Sequence, residues 1–216
     1  MTPAPPYEEG LRSSPAAMRN RAPILDILRQ HITAGAHVLE IASGTGEHAA
    51  FFAQNQGWHW QCSDYDLAAL ETIAHWTKDA SSVAQPPLHL DVMAETWAQG
   101  APEQVDVIYC ANMIHIAPPE AADGLIRGAQ QILQHGGLLI LYGPFRFGEH
   151  HSAPSNAAFD ASLRARDPRW GLRDLGTVVE SMRQHQLVHQ TTHTMPANNL
   201  CVVFRRGNSA PTAIQP

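Results

Sequence analysis

Residues 37–46, His37-Val38-Leu39-Glu40-Ile41-Ala42-Ser43-Gly44-Thr45-Gly46, run a strand-forming apolar segment straight into a glycine turn, and helix formers begin at Glu47. A turn this short cannot return the chain as a hairpin; it launches a helix that packs back over the strand. A second strand must then lie parallel to the first, the βα grammar of an α/β fold. The rest of the chain repeats this alternation. Strands are expected over 37–42, 58–63, 87–90, 105–111 and 138–142, with helices over 47–56, 67–78 and 120–134, the last closed by His135-Gly136-Gly137. Ser14-Pro15 reads as an N-cap followed by Pro in the first turn of a preceding helix, apolar at Ile24, Leu25, Ile27, Leu28 and Ile32. Later segments predict helices over 156–166 and 175–185. Strands over 187–195 and 200–206 then pair antiparallel through Pro196-Ala197-Asn198-Asn199. The expected architecture is a Rossmann-like, seven-stranded, mostly parallel sheet with a C-terminal antiparallel hairpin and helices on both faces. It forms one domain over 14–207 between flexible tails at 1–13 and 208–216.

Bulk properties narrow the function classes. With 216 residues, 44% of them hydrophobic, the chain can bury a substantial core. No apolar run approaches a membrane span, and the opening Met1-Thr2-Pro3-Ala4-Pro5-Pro6 lacks the basic and apolar regions of a secretory signal, so a cytoplasmic protein is expected. Cys62, Cys110 and Cys201 are scattered and form neither a disulfide framework nor a thiolate metal site. Thirteen histidines invite a metal reading, but no H-E-x-x-H or comparable spacing occurs, so no metal is expected. A net charge of −6 argues against a nucleic-acid partner. A monomer or homodimer is expected.

The chemistry-bearing residues cluster at the carboxyl ends of successive strands, where ligands of open α/β sheets bind. Gly44 and Gly46 let a ligand approach the backbone, and the following helix N-terminus offers free N–H groups. Gly44-Thr45-Gly46-Glu47-His48-Ala49 also satisfies the dinucleotide pattern, so a nicotinamide cofactor competes with S-adenosylmethionine (SAM) here. Glu40, inside the first strand, needs a cation: either the ammonium of a methionine moiety or a neighbouring guanidinium such as Arg19. Asp64 ends the second strand, about twenty residues beyond the glycines, where ribose hydroxyls are expected, and Asp66 reads as a helix cap. Asp91 ends the third strand and can accept from an adenine amino group.

These residues resemble the class I SAM-dependent methyltransferases through E-x-A-x-G-x-G. From Ser14 to Arg206 the chain resembles the domain-of-unknown-function 938 family, whose members look like methyltransferases. The resemblance is carried by Ser14-Pro15-Ala16 with Arg19-Asn20, by residues 39–49, and by Asn112-Met113-Ile114-His115-Ile116. It continues in Tyr142-Gly143-Pro144-Phe145, Ser155-Asn156-Ala157-Ala158-Phe159-Asp160, Arg166-Asp167-Pro168-Arg169-Trp170-Gly171 and Met195-Pro196-Ala197-Asn198-Asn199-Leu200. The resemblance implies SAM, with S-adenosylhomocysteine as product. Its contacts would come from Arg19, Glu40, Ala42, Gly44, Gly46, Asp64, Tyr65, Asp91, Val92 and the Asn112-Met113 pair. Ala42 stands where the broader class has glycine.

A methyl donor so placed faces the ends of the fourth and fifth strands. His115 is the first expected base or acceptor-orienting group and Tyr142 the second. The long insert at 143–174 is expected to be a lid over a small-molecule acceptor. Phe145, Phe159 and Trp170 would line it, Asn20, Asn156, Arg164 and Arg173 would anchor polar groups, and Asn198 and Asn199 would reach in from the hairpin tip. A nicotinamide-dependent oxidoreductase, a SAM-binding regulator without turnover, and a tRNA or protein methyltransferase stand as alternatives.

Overall fold

The computed structural model describes residues 13–207; the expected tails lie outside the described residues, Ser13 excepted. Helix α1 (Pro15–His31) is capped by the Ser14 hydroxyl, which accepts from Ala17 N at 3.2 Å. The chain then alternates β1 (His37–Ile41), α2 (Glu47–Gln56), β2 (His59–Asp64), α3 (Leu67–Thr77), β3 (Val83–His89) and β4 (Val105–Ala111). There follow α4 (Pro119–Ile132), β5 (Leu133–Gly143), a small hairpin β6 (Arg146–Phe147) and β7 (His150–His151), α5 (Pro154–Arg166) and α6 (Leu175–Gln184). The chain closes on β8 (Leu187–Met195) and β9 (Asn199–Arg206). The main sheet runs β3-β2-β1-β4-β5-β9-β8, with β9 alone running against the other six strands.

Alternation along the strands decides the layers. Val38, Trp60, Val107, Tyr109 and Ile140 face α1, α2 and α3, whereas Leu39, Ile41, Ile108, Leu139 and Leu141 face α4 and α6. Ile24 and Leu28 give α1 its buried stripe, each worth about 1.5–3 kcal/mol of transfer free energy. Cys62, Cys110 and Cys201 are buried, free thiols. No helix of the described residues is long and apolar enough to cross a membrane.

Three departures from the sequence reading have local causes. The third strand begins at Val83 rather than 87, because β3 is an edge strand and its prolines leave no ladder bond unmade inside the sheet. His135-Gly136-Gly137 does not close a helix. It forms an irregularity inside β5, with Gly136 at φ +79° and the register stepping from Val105↔Leu133 to Val107↔Leu138. The insert carries the hairpin β6–β7, which its short polar strands did not announce.

Strand order reverses at β1, which has β2 on one side and β4 on the other. Helices after β1 and β4 leave toward opposite faces there, so a crevice opens above their carboxyl ends.

Candidate active site

The crevice holds two recesses that share Ala42 and Ile116 as a common waist. The first, about 190 Å³, is lined by Tyr65, Leu90, Asp91, Val92, Met113 and Trp170 among others, and is mostly apolar. The second, about 280 Å³, is bordered by Ser14, Asn20, Glu40, Gly44, His48 and Asn112 among others. Residues from the ends of β1, β3 and β4 thus meet in one cleft.

The glycine turn is stitched to β2 by its own polar groups. Ser43 N donates to Ser63 O at 2.9 Å, and Ser63 Oγ donates to Glu40 O at 2.7 Å. Asp64 Oδ2 accepts from Gly44 N at 2.9 Å, while Oδ1 accepts from Asp66 N at 3.0 Å. Asp64 is therefore buried as a brace of the turn and lines neither recess. Asp66 caps α3, as its position indicated. Ala42 adopts φ +57°, a left-handed conformation that costs a residue with a Cβ about 1–2 kcal/mol. Its position at the waist puts that methyl between the two recesses.

Glu40 carries the electrostatics. It is 2% exposed, and its Oε2 accepts from Trp60 Nε1 at 3.0 Å. Among the described residues no Arg, Lys or His pairs with it, and Arg19, the alternative partner, is exposed on α1 and lines neither recess. Burial raises the Glu40 carboxyl to about 7, against the hydrogen bonds from Trp60 and Ser43 that lower it. A buried carboxyl bordering a cleft without a counter-charge can receive a cation there.

Glu47 went unread in the sequence. This acid in the first turn of α2 accepts from Ser14 N at 2.6 Å, Ser13 Oγ at 3.1 Å and Thr45 Oγ1 at 2.7 Å. It ties the start of α1 to the glycine turn and makes α1 a wall of the cleft. The available signal was an acid at a helix N-terminus, which the helix dipole favours. His48 also went unread. Its Nε2 hydrogen-bonds Asn20 Oδ1 at 2.7 Å, and Asn20 in turn hydrogen-bonds the Tyr142 hydroxyl. Burial holds His48 down at about 4 and raises the Tyr142 phenol, so both are neutral near pH 7.

The expected acceptor residues scatter. Trp170 lines the first recess, beside Asp91 rather than beside a separate acceptor pocket, with the Arg166 guanidinium 4.8 Å from its ring centroid. Phe145 is buried in the core, edge-on to His115, and Phe159 is 37% exposed; neither lines the cleft. Arg164 pairs with Asp160, and Arg173 clamps the backbone carbonyls of Ile114, Ala117 and Arg169. The Asn156 amide donates to Ser152 Oγ and Asn198 O, tying α5 to the hairpin tip. Asn198, at φ +57°, and Asn199, which donates to Pro196 O, serve the turn itself.

His115 also departs from expectation. It is fully buried, and its Nδ1 accepts from Arg173 N at 3.1 Å, which puts the proton on Nε2. That Nε2 sits against Gly143, where a Cβ would lie 2.8 Å away, and meets no acceptor. Burial, then repulsion from Arg173, lowers its pKa to about 3. A nitrogen so enclosed cannot collect a proton from an acceptor. His115→Ala is expected to cost about 2–4 kcal/mol through the cavity and the orphaned Arg173 N–H, a fall of roughly 4–16 °C in Tm. An unchanged melting curve would remove this structural role.

Residues 11–206 match DUF938, described as a protein of unknown function. The chain belongs to the DUF938 family. Solved structures share the fold of this DUF938 member at low identity. An O-methyltransferase family protein from Burkholderia thailandensis aligns with TM-score 0.73 and 15% identity, over 90% of this chain and 58% of its own. The S-adenosylmethionine-dependent methyltransferase SibL aligns with TM-score 0.71 and 17% identity, over 88% and 55%. PigF, solved with S-adenosylhomocysteine, gives 0.69 and 14% over 85% and 55%. The DUF938 chain therefore spans little more than half the length of these neighbours, and the likeness is one of fold.

Proposed function

We propose that this DUF938 protein is a SAM-dependent methyltransferase acting on a small-molecule acceptor. The observation that carries the reading is Glu40, a buried carboxylate with no cation, in the recess that opens on Gly44 and is joined at Ala42 to the apolar recess of Asp91. Glu40 would hold the ammonium of the methionine moiety, and Gly44 leaves room for its carboxylate at the turn. Asp91, Val92, Tyr65, Met113 and Trp170 would enclose adenosine, so the part of the insert near Trp170 closes over the cofactor. Bound SAM supplies an electrophilic methyl on a sulfonium.

The remaining work is positional. Transfer is an in-line displacement, and orientation alone lowers such barriers by about 7–11 kcal/mol. Asn20 lines the second recess with the buried Tyr142 hydroxyl behind it, and His48 fixes the Asn20 amide by occupying its oxygen. Tyr142 would orient an acceptor through its hydroxyl rather than remove a proton, since its phenol is held above the ordinary range. Asn112, at φ +62° after β4, borders the same recess. The net charge of −6 supports a small acceptor over a nucleic acid.

Calorimetry with SAM, S-adenosylhomocysteine and NAD tests the reading. Micromolar binding of the first two and none of NAD is expected. Binding of NAD alone would end it. Transfer of tritium from labelled SAM into a fractionated metabolite extract then separates turnover from mere cofactor binding.

A further inference from the structure

Behind the wall of the cofactor cleft lies another recess of about 250 Å³, between α4 and α6 and under the insert. Residues 170–174 form the partition. Trp170 faces the cofactor side, while Leu172, Arg173 and Asp174 line the far side. Three arginines, Arg146, Arg164 and Arg173, are among its lining residues. Burial, then the charge of Arg164 and, more weakly, of Arg146, lowers the pKa of Arg173, so these cations sit within electrostatic reach of one another. Their local partners are mostly backbone. Arg146 donates to Leu172 O and Gly148 O and pairs with Glu149; Arg173 donates to three carbonyls; Arg164 uses Nε on Asp160.

That leaves Arg146 Nη2, Arg173 Nη1 and both terminal nitrogens of Arg164 without a hydrogen-bond partner among the described residues. Glu120 and Asp160 offset part of the repulsion at Arg173. Asp174 spends its carboxylate on Thr177 N, Thr177 Oγ1 and Gly148 N as the cap of α6, and Asp160 is shared among Arg164, His151 and Leu172 N. Asp123 is the one acid of the lining with no such task. Opposite the arginines, Pro119, Ile126 and Val178 give an apolar floor, and Ser181 adds a hydroxyl. Cations on one wall and hydrocarbon on the other select a ligand with both characters.

We propose that this recess binds a small organic anion with an apolar body, such as an aryl or branched-chain carboxylate or phosphate ester, at a site separate from the cofactor cleft. The site stands independently of methyl transfer, because none of its residues borders Glu40 or Asp91.

The test is calorimetry on the full chain with phenyl phosphate, phenol and inorganic phosphate, using wild type, Arg164→Gln and Ser181→Glu. Ser181→Glu sets a negative charge in the recess without opening a cavity and should keep the wild-type melting temperature, whereas Arg164→Gln also removes the ion pair with buried Asp160 and should melt lower while staying folded. Phenyl phosphate is expected to bind at least about tenfold more tightly than phenol or inorganic phosphate, and each substitution to weaken it about tenfold or more. Failure of phenyl phosphate to bind in the millimolar range would overturn the site. So would affinity no better than that of phenol, or affinity untouched by both substitutions.

Discussion

Gly44→Val is expected to give a folded protein that no longer retains SAM, whereas Gly46→Val is expected not to fold. Both glycines have positive φ, +62° and +82°, so each substitution carries backbone strain of about 1–2 kcal/mol, more for a β-branched residue. What separates them is the space around each Cα. A Cβ at Gly44 meets nothing within 4 Å, because that direction is open. The valine methyls would therefore take up room the cofactor needs and disturb little else. A Cβ at Gly46 would lie 2.9 Å from Ile73 Cα and 3.3 Å from Ile73 O. The obstacle is the backbone of α3, which cannot swing aside as a side-chain tip can. Separating α2 from α3 would use up most of a stability of about 5–15 kcal/mol. Circular dichroism melts and calorimetry check the pair: at least a 100-fold loss of SAM affinity with a near-native melt for the first, and no cooperative transition for the second. Native SAM affinity in Gly44→Val would remove the cofactor from this turn.

Glu40→Gln is expected to trade binding for stability. With the folded carboxyl raised from 4.5 to about 7, the folded chain holds a proton that the unfolded chain releases across that window. Stability therefore falls as pH rises from 4.5 to 7, by about 3 kcal/mol in all, and stays lowered above it. The glutamine variant lacks this penalty, so its contribution at this site is flat with pH and it melts higher than wild type at pH 8. It also lacks the charge that would answer an ammonium, and SAM affinity should drop at least 100-fold. In wild type, SAM affinity should weaken as pH falls below about 7, since the protonated carboxyl offers no charge. Melting curves and calorimetry between pH 5 and 8 read both effects. A variant that binds SAM normally, or melts lower at pH 8, would contradict the role given to Glu40.

Much of the fold was legible because its signals are local. The apolar runs of β1, β4 and β5, the cap at Ser14 and the positive-φ demand at Gly44 each follow from neighbours in sequence. That Glu40 and Asp91 border the cleft was legible the same way, since both stand at or beside the carboxyl ends of strands. Less local features were not. His135-Gly136-Gly137 carries the composition of a helix stop, and only pairing with β4 and β9 turns it into an irregularity within a strand. His115 lies beside Asn112 in sequence, yet whether its ring faces the cleft or the core depends on Arg173, 58 residues away. The arginines of the insert were read as one acceptor-binding set, and the partition at 170–174 puts their recess on the other side of a wall.

By itself the sequence determined the class of the chain: periodicity sets strands and helices, and the glycine turn and Glu40 mark the strand end where the sheet's order reverses. Only the tertiary structure decided which polar groups remain available to a ligand. Asp64 and His115 have the same chemistry as open site residues, but packing turns Asp64 to the Gly44 and Asp66 N–H groups and His115 Nδ1 to Arg173 N, leaving His115 Nε2 buried without a partner. The physical reason is that a buried polar atom must be satisfied by whatever the fold brings within about 3 Å, and that partner is fixed by contacts distant in sequence.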